Sequence, residues 1–448
     1  MNIKIPDEVR FIIDTFEENG YDAYAVGGCV RDAVLGKEPE DWDICTPALP
    51  DQTMRCFGEY HIIETGLKHG TVTLVIDHKP FEITTYRVDG IYGDNRRPDN
   101  VTFVTGLKED LSRRDFTINA MAFNPKKGLA DFFGGMSDIE NKTIRCVGDA
   151  DKRFKEDALR ILRALRFASV LGFVIENGTS AAVFKNKGLL KNIAAERFAG
   201  ELNKLIVGRG TEDILLSYPS VIEEIIPEIR DMIGFNQNNP HHRSDVWKHT
   251  AAGVASAPAD AALRLTMLLH DIAKPKCYTE VNSVGHFYGH SRPGSETAKE
   301  ILLRLKYDGD TVKTVTRLIL YHDADILPIR KHIKRWLNRL GGKNFRRLIE
   351  IKKADAAAQS ETYRREKINT LDEILRISDE IIDRRQCFSL NDLAVNGRDL
   401  IAAGVPEGKR IGELLDMLLE MVTDESVEND KEKLLKIAGD LIKEGQSG

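Results

Sequence analysis

The chain has 448 residues, of which 42% are hydrophobic and 30% charged, a composition that excludes a disordered or fibrous protein. At ~150 residues per domain, this length predicts roughly three domains. The 64 basic and 70 acidic residues give a net charge of −6, so a nucleic acid would have to be held by a local basic patch. We expect no membrane span and no secretory signal, and the six cysteines form no CxxC pair, which together predict a cytoplasmic protein.

Short β-rich runs separated by glycine and aspartate predict an α/β region from Tyr24 to about Phe123. Its clearest strands are Thr71 to Ile76, Phe81 to Val88 and Val101 to Val104. Beyond Asp151 strand signals nearly vanish, and apolar residues at helical spacing predict an all-helical remainder. The predicted helices are Arg153 to Phe167, Glu196 to Val207, Ala262 to Ile272, Lys313 to Tyr321, Ile333 to Leu340 and Leu371 to Ile382.

Two further segments indicate breaks in this helical region. Asn236 to Pro240, followed by His241 and His242, is typical of a linker. The residues from Thr423 onward are charged and lack aromatics, which predicts a frayed end.

The first chemically informative segment is AVGGCVRDAVLG, Ala25 to Gly36, followed by Asp41 and Asp43. Paired glycines before a helix let backbone amides approach an anion, and Arg31 could reach the same phosphates. Alternation along a strand would project both aspartates from one face, close enough to share divalent cations. An isolated DxD is usually a solvated turn, but its conjunction with the glycine and arginine motif favours a metal site.

GGCVRDAVLG and DWDI together resemble the signature of the polymerase-β-like nucleotidyltransferases. More narrowly, the chain is similar to the class II tRNA nucleotidyltransferases, which are the CCA-adding enzymes, and to bacterial poly(A) polymerases. The similarity spans about Ala25 to Val207 and continues in the family's order through TGLKHGTVTL, FEITTYR, DGIYGDNRRPDNVTF, RRDFTINAMA, EDALRILRALRF and ERFAGELNKLI. It implies an α+β fold, with a head of mixed sheet and helices followed by a helical neck and body.

The resemblance implies that CTP and ATP donate nucleotides to the 3′-hydroxyl of tRNA without a nucleic-acid template. Two Mg²⁺ ions ~4 Å apart would stabilise the attacking and leaving oxygens. Asp41 and Asp43 are the expected ligands, and Glu82 is a candidate third carboxylate, although a surface strand residue is an equally good interpretation. The expected nucleotide-binding residues are Gly28, Arg31, Arg114, Asp115, Asp157, Arg160, Arg163 and Arg166.

Two pairs among these residues have a structural alternative. Arg114 and Asp115 are implied to contact ribose, and a core salt bridge is the alternative. Asp157 and Arg160 stand at i and i+3 of a predicted helix, where an intrahelical ion pair would be ordinary. Given the resemblance, this pair could instead read a base edge, because Asp accepts from the amine of cytosine or adenine and Arg donates to the adjacent ring nitrogen. Uracil and guanine would leave buried polar groups unsatisfied, at ~1–3 kcal/mol each.

The region Arg87 to Phe103 bears on how many nucleotides are added. Enzymes that stop after CC are expected to lack part of this loop, whereas Tyr92, Asp94, Arg96, Arg97 and Pro98 are all present here. Full CCA addition is therefore favoured, with poly(A) polymerase and partial CC- or A-addition as alternatives.

Six of the eleven histidines fall between His241 and His290. The order of His249, then His270-Asp271, then Asp355 resembles the HD phosphohydrolase domain and predicts a metal site, which His290 and His322 could extend to two metals. Imidazole and carboxylate suit Mn, Fe, Ni, Co or Zn. An active site of this kind would cleave a phosphate monoester or 2′,3′-cyclic phosphate at an RNA 3′ end. Hydrogen-bonded polar histidines, or an Asp271 that caps a helix, are the alternatives. A stand-alone HD phosphohydrolase with a degenerate head is a less favoured function, because Asp41, Asp43, Arg114 and Asp157 are all intact.

A basic stretch from Arg330 to Lys353 holds ten Lys or Arg against a single acid, Glu350, and includes Trp336 and Phe345. A tRNA backbone contact and a solvated helical face are nearly equal interpretations. We divide the chain into a nucleotidyltransferase head (1–145), a helical neck (146–235), an HD metal-binding domain (236–360) and a helical C-terminal body (361–448). The oligomeric state is left open.

Overall fold

The structure is a computed structural model that describes residues 3–90, 101–239 and 244–446. The chain divides into two compact units, Met1–Arg230 with Arg304–Lys306, and Asp231–Leu303 with Tyr307–Gly448. No helix in the described ranges is long and apolar enough to cross a membrane. The predicted loop residues Tyr92, Asp94, Arg96, Arg97 and Pro98 lie outside the described residues, as do Pro240, His241 and His242.

The head of the first unit alternates strands and short helices. In chain order its elements are α1 (Asp7–Glu18), β1 (Tyr24–Val26), α2 (Gly28–Val34), β2 (Asp43–Thr46), α3 (Pro50–Cys56), β3 (His61–Gly66), β4 (Thr71–Ile76), β5 (Lys79–Thr85), β6 (Arg87–Asp89), β7 (Val101–Phe103), α4 (Leu107–Ser112), β8 (Met121–Asn124), β9 (Gly128–Asp131), α5 (Gly135–Glu140) and β10 (Thr143–Ile144).

Seven of these strands form one sheet in the order β3-β4-β5-β2-β1-β8-β9. The neighbours β2 and β5 are parallel, whereas the other pairs are antiparallel, so the predicted mixed sheet is confirmed. Strand β4 alternates buried with half-buried residues, which is why the period-2 pattern of TVTLVI identified it with its correct bounds.

The neck consists of α6 (Ala150–Glu156), α7 (Leu159–Leu171), β11 (Val174–Ile175), α8 (Asn177–Asn186), α9 (Ala195–Ile206), α10 (Thr211–Ser217) and α11 (Pro219–Glu223). The continuous helix predicted from Arg153 to Phe167 is wrong. Asp157 is extended, at φ −135° and ψ 105°, so α6 ends there. Its carboxylate accepts a hydrogen bond from the backbone amide of Leu159, the first residue of α7, at 3.0 Å and so caps that helix. Strand β11 pairs in parallel with β10, so the neck is not entirely helical.

In its described residues, the second unit is helical apart from one hairpin. Its elements are α12 (Val246–Ser256), α13 (Ala261–Leu269), β12 (Thr279–Val281), β13 (Val284–His286), α14 (Ser291–Arg304), α15 (Gly309–Tyr321), α16 (Arg330–Leu340), α17 (Gly342–Ala357), α18 (Glu361–Asp383), α19 (Gly397–Ala402), α20 (Lys409–Thr423) and α21 (Lys431–Gln446). The expected frayed end is wrong, because Leu434 and Ala438 of α21 are fully buried in a core shared with α20.

Candidate functional site

Three carboxylates come together at the edge of the head where β2 begins. Asp43, the first residue of β2, is the register partner of Glu82 on the parallel strand β5. Asp41 lies two residues earlier, and Trp42 between them is buried, as alternation requires. Desolvation raises the pKa of Asp43, and the negative charges of Glu82 and Asp41 raise it further against the opposing charge of Arg114. Carboxylates that repel one another are relieved by a shared divalent cation, so this donor set fits Mg²⁺.

Arg114 is close to the glycine turn of the same head. A Cβ on Gly27 would lie 2.8 Å from the Arg114 Nη1 atom, and Gly27 has φ +88°. Glycine is therefore required here both for the backbone conformation and for the approach of the guanidinium. The carboxylate of Asp110, which is fully buried, lies 3.8 Å from the Arg114 guanidinium. Gly28 is the first residue of α2.

Asp115 is the centre of a buried polar network. Its carboxylate accepts from Nε of Arg163 at 2.7 Å and from the Asn119 amide at 3.2 Å. The Asn119 oxygen in turn accepts from Arg31 at 2.6 Å. Burial opposes ionisation of Asp115, but the charge of Arg163 and the hydrogen bond from Asn119 outweigh it and lower the pKa to about 2. Asp115 thus forms a core salt bridge, and the partner is Arg163 rather than Arg114.

The predicted base-reading pair is separated by the helix break. Arg160 donates to the Glu156 carboxylate and to the Arg113 carbonyl, both at 2.9 Å. The Asp157 carboxylate lies 3.4 Å from the guanidinium of Arg197. An intrahelical Asp157–Arg160 ion pair is therefore not what holds either side chain.

Arg166 ends the arginine row of α7. It pairs with Glu201 of α9 at 3.1 Å, and its guanidinium lies over the Phe167 ring at 4.1 Å from the centroid. Arg31 and Arg163 approach the same ring at 5.1 and 5.3 Å. Three of the predicted nucleotide-binding arginines thus lie around one aromatic ring, that of Phe167.

Sequence reasoning missed the partners of these arginines. Asn119 is a lone amide inside the apolar run FTINAMAF, which signals a buried polar role. Glu201 falls at i+3 from Phe198 and i−4 from Leu205, and so lies on the apolar stripe of α9. An acid on such a stripe indicates a buried basic partner.

In the second unit the predicted metal ligands converge. The Nε2 atom of His249 lies 2.9 Å from Asp355 Oδ1 and 3.6 Å from Asp271 Oδ2. His270 Nε2 lies 3.2 Å from the same Asp271 oxygen. Helices α12 and α17 supply the outer two residues, and the segment just after α13 supplies the His-Asp pair.

The other Asp271 oxygen faces a second pair of imidazoles. His290 Nε2 is 3.4 Å and His322 Nε2 3.8 Å from Asp271 Oδ1. Asp271 is thus shared by two groups of three metal-compatible side chains, each with its ligand atoms within 4.8 Å of one another. The structure brings together the ligands predicted for one metal and those predicted for a second.

The imidazoles are oriented by their second nitrogen. The Nδ1 atoms of His270, His290 and His322 each lie 2.7–2.8 Å from a backbone carbonyl, that of Met267, Phe287 and Ile319 respectively. A carbonyl only accepts, so we assign the proton to each Nδ1, which leaves each Nε2 as a lone pair. The Nε2 atoms of His290 and His322 are only 3.1 Å apart. Two lone pairs at this distance repel unless a proton or a metal lies between them.

Burial makes this cluster costly without a cation. Within the described residues, His270 Nε2 and Asp271 Oδ1 are buried without a hydrogen-bond partner, at a typical cost of ~1–3 kcal/mol each. Burial, the largest cause, lowers the pKa of His322 to about 3, so its ring is neutral, as a metal ligand must be. Lys274 offsets part of the Asp271 charge from 2.7 Å. These groups fit a transition metal better than hydrogen-bonded polar histidines.

The basic stretch from Arg330 to Lys353, which forms α16 and most of α17, is largely paired with acids rather than simply solvated. Six of its ten bases form ion pairs with acids of the second unit, namely Arg330 with Glu380, Lys334 with Glu425, Arg335 with Asp424, Arg346 with Asp379, Arg347 with Asp260 and Lys353 with Asp372. Most of the local positive charge is thus neutralised by residues distant in sequence. The exposed bases Lys331, Arg339 and Lys343, which form no ion pair with any residue the structure describes, remain for a phosphate backbone.

Known proteins match the whole length of the chain. Residues 23–145 match the family model of the poly A polymerase head domain, residues 172–232 that of the probable RNA and SrmB-binding site of polymerase A, and residues 292–438 that of a putative tRNA nucleotidyltransferase domain 2.

Among curated proteins, a CCA-adding enzyme of Levilactobacillus brevis is 33% identical over 444 residues, covering 97% of this chain and 99% of that protein. One of Geobacillus kaustophilus is 34% identical over 433 residues, with 94% of each covered. Among solved structures, the Bacillus stearothermophilus CCA-adding enzyme in complex with CTP matches with a TM-score of 0.71 and 29% identity, covering 99% of both chains.

Proposed function

This chain belongs to the family of CCA-adding enzymes, and from that membership we propose how its own residues carry out the reaction. The enzyme is a nucleotidyltransferase that adds C, C and A from CTP and ATP to the 3′ end of tRNA. In each addition the 3′-oxygen forms a bond to the α-phosphate, pyrophosphate leaves, and the 3′-hydroxyl loses its proton. We place this activity in the cytoplasm.

The register of Asp43 against Glu82, with Asp41 beside them, carries the proposal. These three carboxylates are the proposed ligands of Mg²⁺, which when bound would stabilise the attacking and leaving oxygens. Arg114, whose guanidinium lies close to Gly27 and Asp110, would contact the ribose or triphosphate. The arginines around Phe167 would hold the rest of the nucleotide.

Base selection is assigned to Asp157 and Arg160. Asp157 would accept from the exocyclic amine that cytosine and adenine share, and Arg160 would donate to the neighbouring ring nitrogen. To donate to the base, Arg160 must give up its hydrogen bonds to the Glu156 carboxylate and the Arg113 carbonyl, both 2.9 Å long. A correct base would replace these two hydrogen bonds with its own. A thermal-shift series should therefore show stabilisation by CTP and ATP and little by GTP or UTP, and Arg160→Ala should abolish the difference.

The decisive assay is extension of tRNA that lacks its 3′ CCA, with Mg²⁺ and labelled CTP and ATP. We expect three nucleotides to be added, whereas indefinite addition of A would indicate a poly(A) polymerase. Asp43→Asn should lower the rate roughly a thousandfold or more, because several kcal/mol of charge stabilisation are lost. Asp51→Asn is the matched control, since Asp51 is an exposed residue of α3 paired with Arg55. An active Asp43→Asn enzyme would overturn the metal-ligand assignment.

A second activity is proposed for the second unit, as a metal-dependent phosphohydrolase acting on phosphate esters at RNA 3′ ends. The observation behind it is the 3.1 Å separation of the Nε2 atoms of His290 and His322, beside Asp271. His249, His270, Asp271 and Asp355 would hold one transition metal, and Asp271, His290 and His322 a second. A metal bound there would supply a nucleophile from water at neutral pH.

Metal analysis of the native protein tests this second activity. We expect bound Mn, Fe, Ni, Co or Zn, lost together with phosphatase activity in His270→Ala/Asp271→Ala, while CCA addition continues. His332→Ala is the control, because His332 lies in α16 and outside both ligand groups. A metal-free native protein would refute the site.

A further inference from the structure

A stacked aromatic pair lies at the opening of the histidine and aspartate cluster. The rings of His286 and Tyr288 are parallel, with centroids 5.0 Å apart and planes 7° apart. Tyr288 is nonetheless 76% exposed, so the ring face away from His286 is open to solvent. An exposed tyrosine ring that is already stacked on a neighbour offers an apolar face on which a planar group could stack.

The pair borders the same cavity as the metal ligands. A cavity of about 260 Å³ is lined by His286 and Tyr288 together with Asp271, His290 and His322. Gly289, at φ +70°, turns the chain immediately after Tyr288 and returns it to His290. Because two residues span at most ~7 Å, Tyr288 cannot lie far from His290, one of the proposed metal ligands.

Cationic side chains complete this cavity. Lys274 Nζ lies 2.7 Å from Asp271 Oδ2 and 5.3 Å from the ring centroid of Phe287, the residue next to Tyr288. Lys367 also lines the cavity, with its Nζ 3.5 Å from Asp355 Oδ2. The lining of the cavity therefore combines two lysines, each beside a carboxylate of the cluster, with the aromatic pair of His286 and Tyr288.

We propose that His286 and Tyr288 form a nucleobase-stacking subsite, which directs a nucleoside phosphate, rather than a small phosphate ester without a base, into the cluster. This inference deepens the proposed phosphohydrolase function and rests on it. Stacking on an aromatic ring tolerates every base, because each base has a π face. The subsite thus selects the 3′-terminal nucleotide of an RNA without selecting its sequence.

Binding to the full chain stripped of metal tests the subsite without turnover. Calorimetric titration with uridine 3′-monophosphate is compared with ribose 5-phosphate; uridine is chosen because the nucleotidyltransferase head is expected to reject uracil. Wild type should bind the nucleotide about ten- to a hundredfold more tightly, the value of one stacked base. Tyr288→Ala should remove most of this preference, and Tyr288→Phe should keep it.

Val281→Ala is the matched control, since Val281 is 52% exposed, belongs to the β12–β13 hairpin that ends at His286, and does not line the cavity. Equal loss of both ligands in Tyr288→Ala would indicate a merely structural role, and an unchanged preference would show that the base binds elsewhere. Either result overturns the proposal.

Turnover by metal-loaded protein separates this subsite from the metal centre. With the metal bound, Tyr288→Ala should raise KM for uridine 3′-monophosphate at least about tenfold and leave glycerol 2-phosphate hydrolysis unchanged. A change for both substrates would refute the subsite. If the native chain holds no metal and cleaves neither ester, the phosphohydrolase function fails, while the metal-free titration still decides whether the platform binds a base.

Discussion

Asp115→Asn removes the charge at the centre of the network in the head. The folded protein lowers the pKa of Asp115 from 3.8 to about 2, chiefly because the Arg163 charge overcomes the burial of the carboxyl. Almost two pH units correspond to ~2 kcal/mol of preference for the ionised form. Loss of one partner of a fully buried pair can cost ~3–5 kcal/mol. Because Arg163 keeps 32% of its side chain exposed, water can partly solvate it, and we expect the lower figure of ~2 kcal/mol.

The effect has a defined pH dependence. A lowered folded-state pKa stabilises the protein fully above the unfolded value of 3.8, and this stabilisation is lost as the pH falls through about 2. The stability difference between wild type and Asp115→Asn should therefore be constant near neutral pH and close between these two values. A difference that persists at low pH would mean that packing, and not charge, is responsible.

The assay must report on the head alone, because the chain has two compact units. Urea titration followed by hydrogen exchange of peptides from residues 113–124 provides this. Asp51→Asn is the control, since its pair with Arg55 is 62–72% exposed and exposed pairs contribute ~0–1 kcal/mol. If Asp115→Asn unfolds at the wild-type midpoint, the network does not stabilise the head and the reasoning from its geometry fails.

Two further perturbations follow from the same structure. Gly27→Ala should lower the free energy of unfolding by ~1–3 kcal/mol and reduce CCA addition, because the new Cβ displaces Arg114. Gly20→Ala is the control: Gly20 has φ +81° and nothing within 4 Å of a Cβ, so this variant should carry backbone strain but retain activity. Equal activity of the two variants would contradict the role of the close approach between Gly27 and Arg114. Lys331→Gln with Lys343→Gln should weaken tRNA binding and lower the slope of log affinity against log salt by ~1–2, and an unchanged slope would show that tRNA lies elsewhere.

How far the sequence predicts the head is seen at Asp43. Alternation along one strand is a local property, so the shared face of Asp41 and Asp43 could be predicted from their spacing. That Glu82 becomes the neighbour of Asp43 depends on the parallel pairing of β2 with β5, with two intervening strands and a helix between them in the chain. Such non-local pairing leaves no periodic signal in the sequence, which is why Glu82 could equally be interpreted as a third metal ligand or as a surface strand residue.

Charge partners were the least predictable feature. The sequence shows a basic stretch from Arg330 to Lys353, but the acids that neutralise it come mainly from α18 and α20, far along the chain. The same holds for Asp157, whose backbone break could not be seen because an i, i+3 pair of opposite charges is typical of a continuous helix. The cluster of His249, His270, Asp271, His290, His322 and Asp355 could be named from the sequence because imidazole and carboxylate identity alone limits the chemistry, and its role as a metal site stays a prediction.

The nucleotide site has one property that follows from these partners taken together. Each arginine expected to bind the nucleotide already has a carboxylate beside it, namely Arg31 with Asp32, Arg114 with Asp110, Arg160 with Glu156, Arg163 with Asp115 and Arg166 with Glu201. These acids therefore balance the charge of the five arginines, and Asp41, Asp43, Glu82 and Asp157 add further negative charge, so long-range attraction by the side chains contributes little to triphosphate binding. A nucleotide gains binding energy only where it forms better hydrogen bonds than the resident acids do, so most of the discrimination comes from contact geometry.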